Sequence, residues 1–594
     1  MSSRNVPPRR VEWMREGFLI AFLGFSVSVK GQEVQPGAGP PARTAEAVGV
    51  DLVNLEVYAT DASGQPVAGL KLENFEVLED GKPVAITHFS RFEAGRPVPS
   101  PAALEASVES GEYPVGAAET EWLHVVLYFD YSNIRMASRG ALFRELDSFL
   151  AEYLKPEDRV MIVTFDHERR IQRSFRSGAE ILLSDFEELE KLAGRGAQAE
   201  SERRLVIRQI EQASVERIGG EIPDAKELAN RVRSVAASEY ERIGVAVREL
   251  QRFTDSLAGL PGRKAIVYVG DGLPTHPGRP LFEAWNNKFS QFSREAGMGS
   301  ALSETRLFDT TPRLRELVAH ANASRVTFHT IDASASQPAS GAAAEQGGFD
   351  FTAMRMRGAG RVFTSDVAVT EELESRGGLE YLARATGGQS AVNNAKLAAS
   401  LRRIGSDLLT FYSLAYRPPH PEGGKFHEIR VRTRREGVRL RHRTGYYGKS
   451  AEERTVDLTL TALQLETVPN PLQVRLEAGP QEQEKQGVFR VPIVVKIPIP
   501  NLALIPGEGM HVARLSLFLV TEDDKGRRSA LQKREVPVRI PAEKLEAAKS
   551  QVIGYPMTLH LREGGQRVAV GIRDEQGGVR SGVGISVWVG NKVR

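Results

Sequence analysis

Four runs of this chain are apolar on both faces: "HVVLYFD" ending at Asp130, "RVMIVTFD" ending at Asp166, "AIVYVGDG" ending at Gly272 and "RVTFHTIDA" ending at Ala333. A strand covered on one side alternates apolar and polar residues, whereas a strand covered on both sides does not need to. Helical patterns stand between the runs. One carries Leu142, Phe143, Leu146, Phe149, Leu150 and Tyr153 on a single stripe, and another carries Ile243, Val247, Leu250, Phe253, Leu257 and Leu260. Buried strands alternating with helices predict a doubly wound, mostly parallel sheet, here over 119–409. A charged helical stretch from Ser184 to Leu260 adds an insert near 184–240. Ligands on such sheets bind beyond the carboxyl ends of the strands. Asp130 and Asp271 both fall there.

The flanks have a different period. "VDLVNLEVYATD" alternates Val53, Leu55 and Val57 against Asn54, Glu56 and Tyr58, and "FEVLEDGKPVAITHF" reads as a hairpin on Asp80-Gly81. Residues 48–95 therefore form a small β module. "FYSLAYRPP", "KFHEIRVRTRR" and "VRLRHRTGYYG" resume that period over 410–448. Two or three strands are marginal in water, so these strands are expected to complete the first module, with the α/β segment inserted between them. Residues 453–594 predict a β-sandwich-like domain that opens with "VDLTLTAL" as a strand and contains "PAEKLEAAKS" as a short helix. The expected fold class is thus α/β plus β, a central doubly wound sheet flanked by β-sandwich-like modules.

The N-terminus reads as a leader. Arg9, Arg10 and Arg15 precede "GFLIAFLGFSVSV", which is short for a transmembrane helix and suits a signal peptide over 1–31 with a cut after Gly31. A Pro/Gly/Ala-rich disordered linker follows over 32–47. Export to the periplasm, cell envelope or exterior is expected, with no transmembrane anchor. The chain has 0 cysteines, which excludes disulfides, thiol catalysis and Cys-zinc sites. Its formal net charge of +2 gives no global pull toward nucleic acid.

The stretch "YFDYSNI" places Asp130, Ser132 and Ile134 two residues apart. Together with the strands "RVMIVTFD" and "AIVYVGDG", it resembles the von Willebrand factor A-type domain. The flanking phrases "GLKLENFEVLEDGKPVAITHF", "LARATGGQSAVN", "LTFYSLAYRPP" and "RTGYYG" resemble the bacterial secreted VWFA-related proteins, over roughly Val50 to Gly448. The broader family holds Mg²⁺ in a metal-ion-dependent adhesion site built from a D-x-S-x-S loop, a Thr from a second loop and an Asp from a third. The resemblance assigns Asp130, Ser132 and Asp271 to three of those ligands. Ile134 replaces the second hydroxyl, and no Gly-Gly-Thr-like segment precedes the helix at Ile243. Mg²⁺ wants near-octahedral oxygen, so this incomplete site is expected to hold it weakly at best. The alternative is that Asp130 and Asp271 serve only as loop and helix-cap residues.

No enzymatic motif emerges. His167-Glu168 lacks a second His four residues on, and there is no phosphate loop or nucleophile elbow. Arg430, Arg432 and Arg434, with Arg439, Arg441 and Arg443, would make a basic sheet face if their strands were adjacent; it lacks the interleaved aromatics that nucleic acid binding uses, so a solvated face with cross-strand acidic neighbours is favoured over a contact for an anionic glycan or acidic protein. The reading is an exported, non-enzymatic binding or scaffold protein. Its contact surface for an unknown protein partner is formed by Asp130, Tyr131, Ser132, Asn133, Asp271 and Gly272, and its oligomeric state is left open. The alternatives are a purely structural envelope protein with a vestigial site, and a hydrolase, for which no catalytic dyad is found.

Overall fold

The computed structural model describes residues 52–98, 123–134, 139–155, 158–166, 196–216, 222–333, 376–392, 397–419 and 424–590, together with parts of 168–194 and Glu374. The expected leader and linker, 1–47, lie outside the described residues, as does the Gly/Ala/Ser-rich segment from Ser334 to Gly360. The described chain forms two compact units, 50–457 and 458–594. Among the described residues no helix is long and apolar enough to cross a membrane.

The first unit opens with β1 (Val53–Thr60), β2 (Phe75–Glu79), β3 (Lys82–Val84), β4 (Ile86–Glu93) and β5 (Arg96–Val98). Then come β6 (Leu123–Asp130), α1 (Arg139–Tyr153), β7 (Arg159–Asp166), β8 (Glu168–Ile171) and β9 (Arg176–Ser177). Two helices follow, α2 (Gly196–Gln212) and α3 (Pro223–Ser256), then β10 (Arg263–Gly270), α4 (Arg279–Phe289), α5 (Thr311–Ala323), β11 (Val326–Asp332) and β12 (Ser390–Ala391). The unit continues with α6 (Leu397–Leu409), β13 (Phe411–Tyr416), β14 (Phe426–Thr433), β15 (Arg439–Arg441) and β16 (Gly445–Tyr447).

Strands β12, β11, β10, β6 and β7 lie side by side in that order, all parallel. All eight residues of β6 and all eight of β10 are buried, the two-sided cover that their unbroken apolar runs require. The chain leaves β6 toward β7 on one side, while β10 pairs with β6 on the other. The crevice between the carboxyl ends of β6 and β10 is therefore the point where strand order reverses.

The charged stretch read as one insert is two helices, with 213–222 between them and Pro223 at the first position of α3. They bury a core of their own with α4, in which Val206, Ile210, Val232 and Ala236 meet Leu281, Phe282 and Trp285.

The strands before and after the α/β region share two antiparallel sheets. One runs β15-β1-β13-β4-β5 and the other β16-β14-β2-β3. Leu55 sits opposite Leu414, and Val77 opposite Val431. Their inward side chains, with Phe75, Tyr412 and Tyr416, make one core. Against the amino ends of the parallel strands this module makes a charged, buried seam. Arg325 donates to Glu56 on β1 at 3.1 Å, and Arg443 donates to the carbonyls of Asn322 and Asn54, both at 2.8 Å. Arg263 lies over the Phe411 ring at 3.6 Å, and Lys264, a residue 5 % exposed, donates from its ammonium to the Leu260 carbonyl at 2.7 Å.

The basic face that adjacent strands would make does not form. β14 and β15 belong to different sheets. Arg430 pairs with Glu428 and Arg432 with Glu76, while Arg441 makes a bidentate pair with buried Asp407 and Arg443 is itself buried.

"VDLTLTAL" is not a strand. It lies in α7 (Ala451–Gln464). Ser450 and Glu453 form a reciprocal cap: the Glu453 N–H donates to Ser450 Oγ at 3.2 Å, and the Ser450 N–H to Glu453 Oε2 at 2.7 Å. The alternation of Leu and Thr also satisfies a helical stripe, Leu458, Ala462 and Leu465, all buried. The second unit is otherwise β: β17 (Arg475–Ala478), β18 (Glu482–Lys485), β19 (Val488–Pro498) and β23 (Val552–Arg562) form one sheet, and β20 (Ile505–Pro506), β21 (Met510–Asp523), β22 (Gln532–Pro541), β24 (Gly564–Asp574) and β25 (Arg580–Val589) the other. Their facing side chains form one core, and "PAEKLEAAKS" contains the short helix Leu545–Ala548.

Candidate functional site at the strand-order reversal

Asp130 is the last residue of β6, and Asp271 follows directly on β10. Val269 is in register with Phe129, so the two aspartates leave neighbouring parallel strands at one rim. The loops are tied together: the Asn133 side-chain amide donates to the Gly272 carbonyl, and the Ser132 N–H donates to the Phe165 carbonyl of β7 at 3.2 Å.

The Asp130 carboxylate is 0 % exposed and is held on both oxygens. Oδ1 accepts from the Ser132 hydroxyl, and from the Ser132 N–H at 3.1 Å. Oδ2 accepts from the phenol of Tyr268, on β10, at 2.7 Å. Arg242, on α3, brings the nearby positive charge. Its Nη1 donates to Asn133 Oδ1 at 2.9 Å and reaches the Ser132 carbonyl at 3.4 Å. Burial raises the Asp130 pKa above the usual carboxylate value; the Ser132 and Tyr268 hydrogen bonds and the Arg242 charge oppose that rise. Burial lowers the pKa of Arg242 and, with the Asp130 charge, lifts that of Tyr268 well above the ordinary phenol value. The phenol therefore remains a donor.

Two glycines let helices press onto these loops. A Cβ on Gly196, at the start of α2, would lie 2.6 Å from the Asn133 carbonyl oxygen, and one on Gly378 would lie 2.0 Å from that of Leu273. Gly378 belongs to a helix over 376–385. Ile134 is 1 % exposed and packs in the main core with Leu142 and Phe143. Asp130, Tyr131, Ser132, Asn133 and Gly272 are buried as well. Of the six residues read as a contact surface, Asp271 alone is partly exposed. Partly exposed groups further along this loop include Thr275, His276 and Arg279. Glu374 organises them, accepting from Thr275 Oγ1 at 2.6 Å, from the His276 N–H at 3.1 Å and from Arg279 at 2.6 Å.

These donors do not fit an octahedral Mg²⁺ shell. Ile134 supplies no oxygen, Tyr268 occupies Asp130 Oδ2, and a guanidinium stands beside the loop where a cation would need anionic ligands to itself. Tyr268 and Arg242 escaped the sequence reading. Tyr268 had a signal: a tyrosine inside an apolar strand needs an acceptor when buried, and Gly270 two residues on leaves room for it, since a Cβ there would lie 2.9 Å from the phenol oxygen. Arg242 had none, being one of many charges on a long helix.

No protein-family model and no curated protein matches this chain.

Proposed function

We propose that the parallel-sheet region is a von Willebrand factor A-type domain, and that the protein is an exported, non-enzymatic binding or scaffold protein. It engages a protein partner at the strand-end rim without a metal ion. The observation that carries this reading is the closed state of Asp130: both oxygens are taken by Ser132 and Tyr268, and Arg242 supplies the neighbouring positive charge. A carboxylate satisfied by fixed protein donors does not need a dication, and displacing those donors would cost the metal more than three ligands return. Contact then falls to the partly exposed loop of Asp271, Thr275, His276 and Arg279, held by Glu374 on the rim.

The test is capture of partners from envelope extract on the immobilised full chain, with and without EDTA, alongside an Asp271→Arg variant. Capture is expected to survive chelation and to fail with the variant, and calorimetry should find Mg²⁺ affinity of about millimolar or weaker. Loss of capture in EDTA, or micromolar Mg²⁺ binding abolished by Asp130→Ala, would overturn the reading.

A further inference from the structure

A second cluster lies far from that rim in sequence and was not foreseen. Glu79 ends β2, Asp80 begins the hairpin to β3, and His427 lies on β14, the other neighbour of β2. One donor atom from each lies within 4.8 Å of the others. We propose that Glu79, Asp80 and His427 bind a first-row divalent transition metal of the zinc type. Such an ion would staple two strands whose ligands stand almost 350 residues apart.

Three observations favour an ion over a simple hydrogen-bonded group. First, Glu79 is 4 % exposed, and among the described residues no Lys or Arg pairs with it; its only charged contacts are in this cluster. Asp130 has a guanidinium beside it, whereas Glu79 has no such pair, so its buried charge gains from a compensating cation. Second, its oxygens are sorted. Oε2 accepts the phenols of Tyr416 at 2.6 Å and Tyr446 at 3.1 Å. That leaves Oε1 turned toward His427 Nδ1 at 3.8 Å, too long for a hydrogen bond. Third, the spacing suits coordination. Asp80 Oδ2 is 2.8 Å from the same Nδ1, a hydrogen bond that an ion entering between them would replace. The two separations bracket the edge of roughly 3.3 Å that a tetrahedron with bonds of about 2.0–2.1 Å requires.

The backbone fixes the carboxylates before any ion arrives. Asp80 has φ 49° and Gly81 φ 79°, the left-handed pair of a tight hairpin. The Glu428 N–H donates to Asp80 Oδ1 at 2.9 Å, which turns Oδ2 toward the imidazole. The Asp80 side chain is 51 % exposed, so an ion has a path from solvent and an open position for water. One imidazole and two carboxylates suit Zn²⁺, whereas Mg²⁺ prefers an all-oxygen shell. This inference does not depend on the function proposed above.

The experiment uses the full chain, stripped with EDTA and titrated calorimetrically with Zn²⁺ and, separately, with Mg²⁺. One Zn²⁺ per chain is expected, with no comparable Mg²⁺ signal. Asp80→Asn, which tolerates the left-handed turn, and His427→Gln should each weaken Zn²⁺ binding roughly tenfold or more, since losing even an outer partner of a metal site typically costs that much. Far-ultraviolet dichroism in EDTA should be unchanged in both. Should either variant fail to fold, Co²⁺ on the wild type reports the ligands directly, and intense visible bands of a four- or five-coordinate nitrogen–oxygen site are expected. Absence of Zn²⁺ binding, equal binding in both folded variants, or a Co²⁺ spectrum of the hydrated ion would each overturn the proposal.

Discussion

Replacing Lys264 by methionine should stabilise the first unit near neutral pH. Burial lowers the Lys264 pKa from 10.5 to about 7, with Arg325 adding to the fall and Glu56 opposing it. The unfolded chain keeps the ordinary value. At about 1.36 kcal/mol per pH unit, a fall from 10.5 to about 7 is a cost of about 5 kcal/mol, complete once the pH is below the folded value. The sign follows from proton binding: between about 7 and 10.5 the unfolded chain holds the proton and the folded chain does not, so stability rises with pH across that window. Methionine fills a similar volume, escapes this cost, and gives up the bond from Nζ to the Leu260 carbonyl, a loss of about 1–3 kcal/mol. Lys264→Met should therefore gain about 2–4 kcal/mol at pH near 6, and the gain should shrink by about 3 kcal/mol by pH near 9.5. Urea unfolding at the two pH values, followed by the near-ultraviolet signal of buried Trp285 in this unit, measures both numbers. A variant less stable than wild type at the lower pH, or a gap that does not narrow on raising it, would refute the argument that Lys264 is a buried and costly charge.

The same treatment applies elsewhere. Tyr268→Phe removes the donor on Asp130 Oδ2 and should cost about 1.5–3 kcal/mol in urea unfolding; no loss would mean that another donor serves that oxygen. Because the Asp130 pKa is raised, ionising it costs stability as the pH climbs from the ordinary 3.8 through the raised value. Asp130→Asn should thus gain on the wild type over that climb, and a stability gap independent of pH would contradict it. Gly378→Ala would put a methyl 2.0 Å from the Leu273 carbonyl and should cost at least about 1–3 kcal/mol; an unchanged melting temperature would show that the helix does not press on the loop. Ser450→Ala should lower stability by about 1 kcal/mol by removing the cap of α7, measured as a shift in the thermal midpoint.

The parallel sheet was legible because burial on both faces leaves a mark that survives in one dimension: β6 and β10 are unbroken apolar runs, and both are buried throughout. The hairpin at Asp80-Gly81 was legible from turn chemistry, and both residues take the positive φ that it demands. The later part of α7 contradicts the strand expected there. Leu and Thr alternate there with period two, and the deciding signal was the Ser450/Glu453 pair just upstream. At the rim, Asp130, Ser132 and Asp271 could be read from their spacing and strand-end positions. Tyr268 and Arg242 could not be joined to them, because a partner across a sheet or on a distant helix is a property of register and packing, which one sequence does not print. The same holds for His427 beside Asp80, since β2 and β14 meet only once the intervening chain has folded.

That meeting sets a timetable for synthesis. β4 ends at Glu93 and its partner β13 begins at Phe411, so 317 residues lie between them. At ribosomal rates of about 5–20 residues per second, the first strands wait roughly 15–60 s for the edges they are built to join. During that interval Val53, Leu55, Phe75 and Val77 have no sheet to cover them, and their strands offer open edges to other nascent chains. A chain released before Phe411 has made half of a sandwich and cannot finish it. Survival of the nascent protein thus depends on what holds those early strands apart until the last of their partners is made.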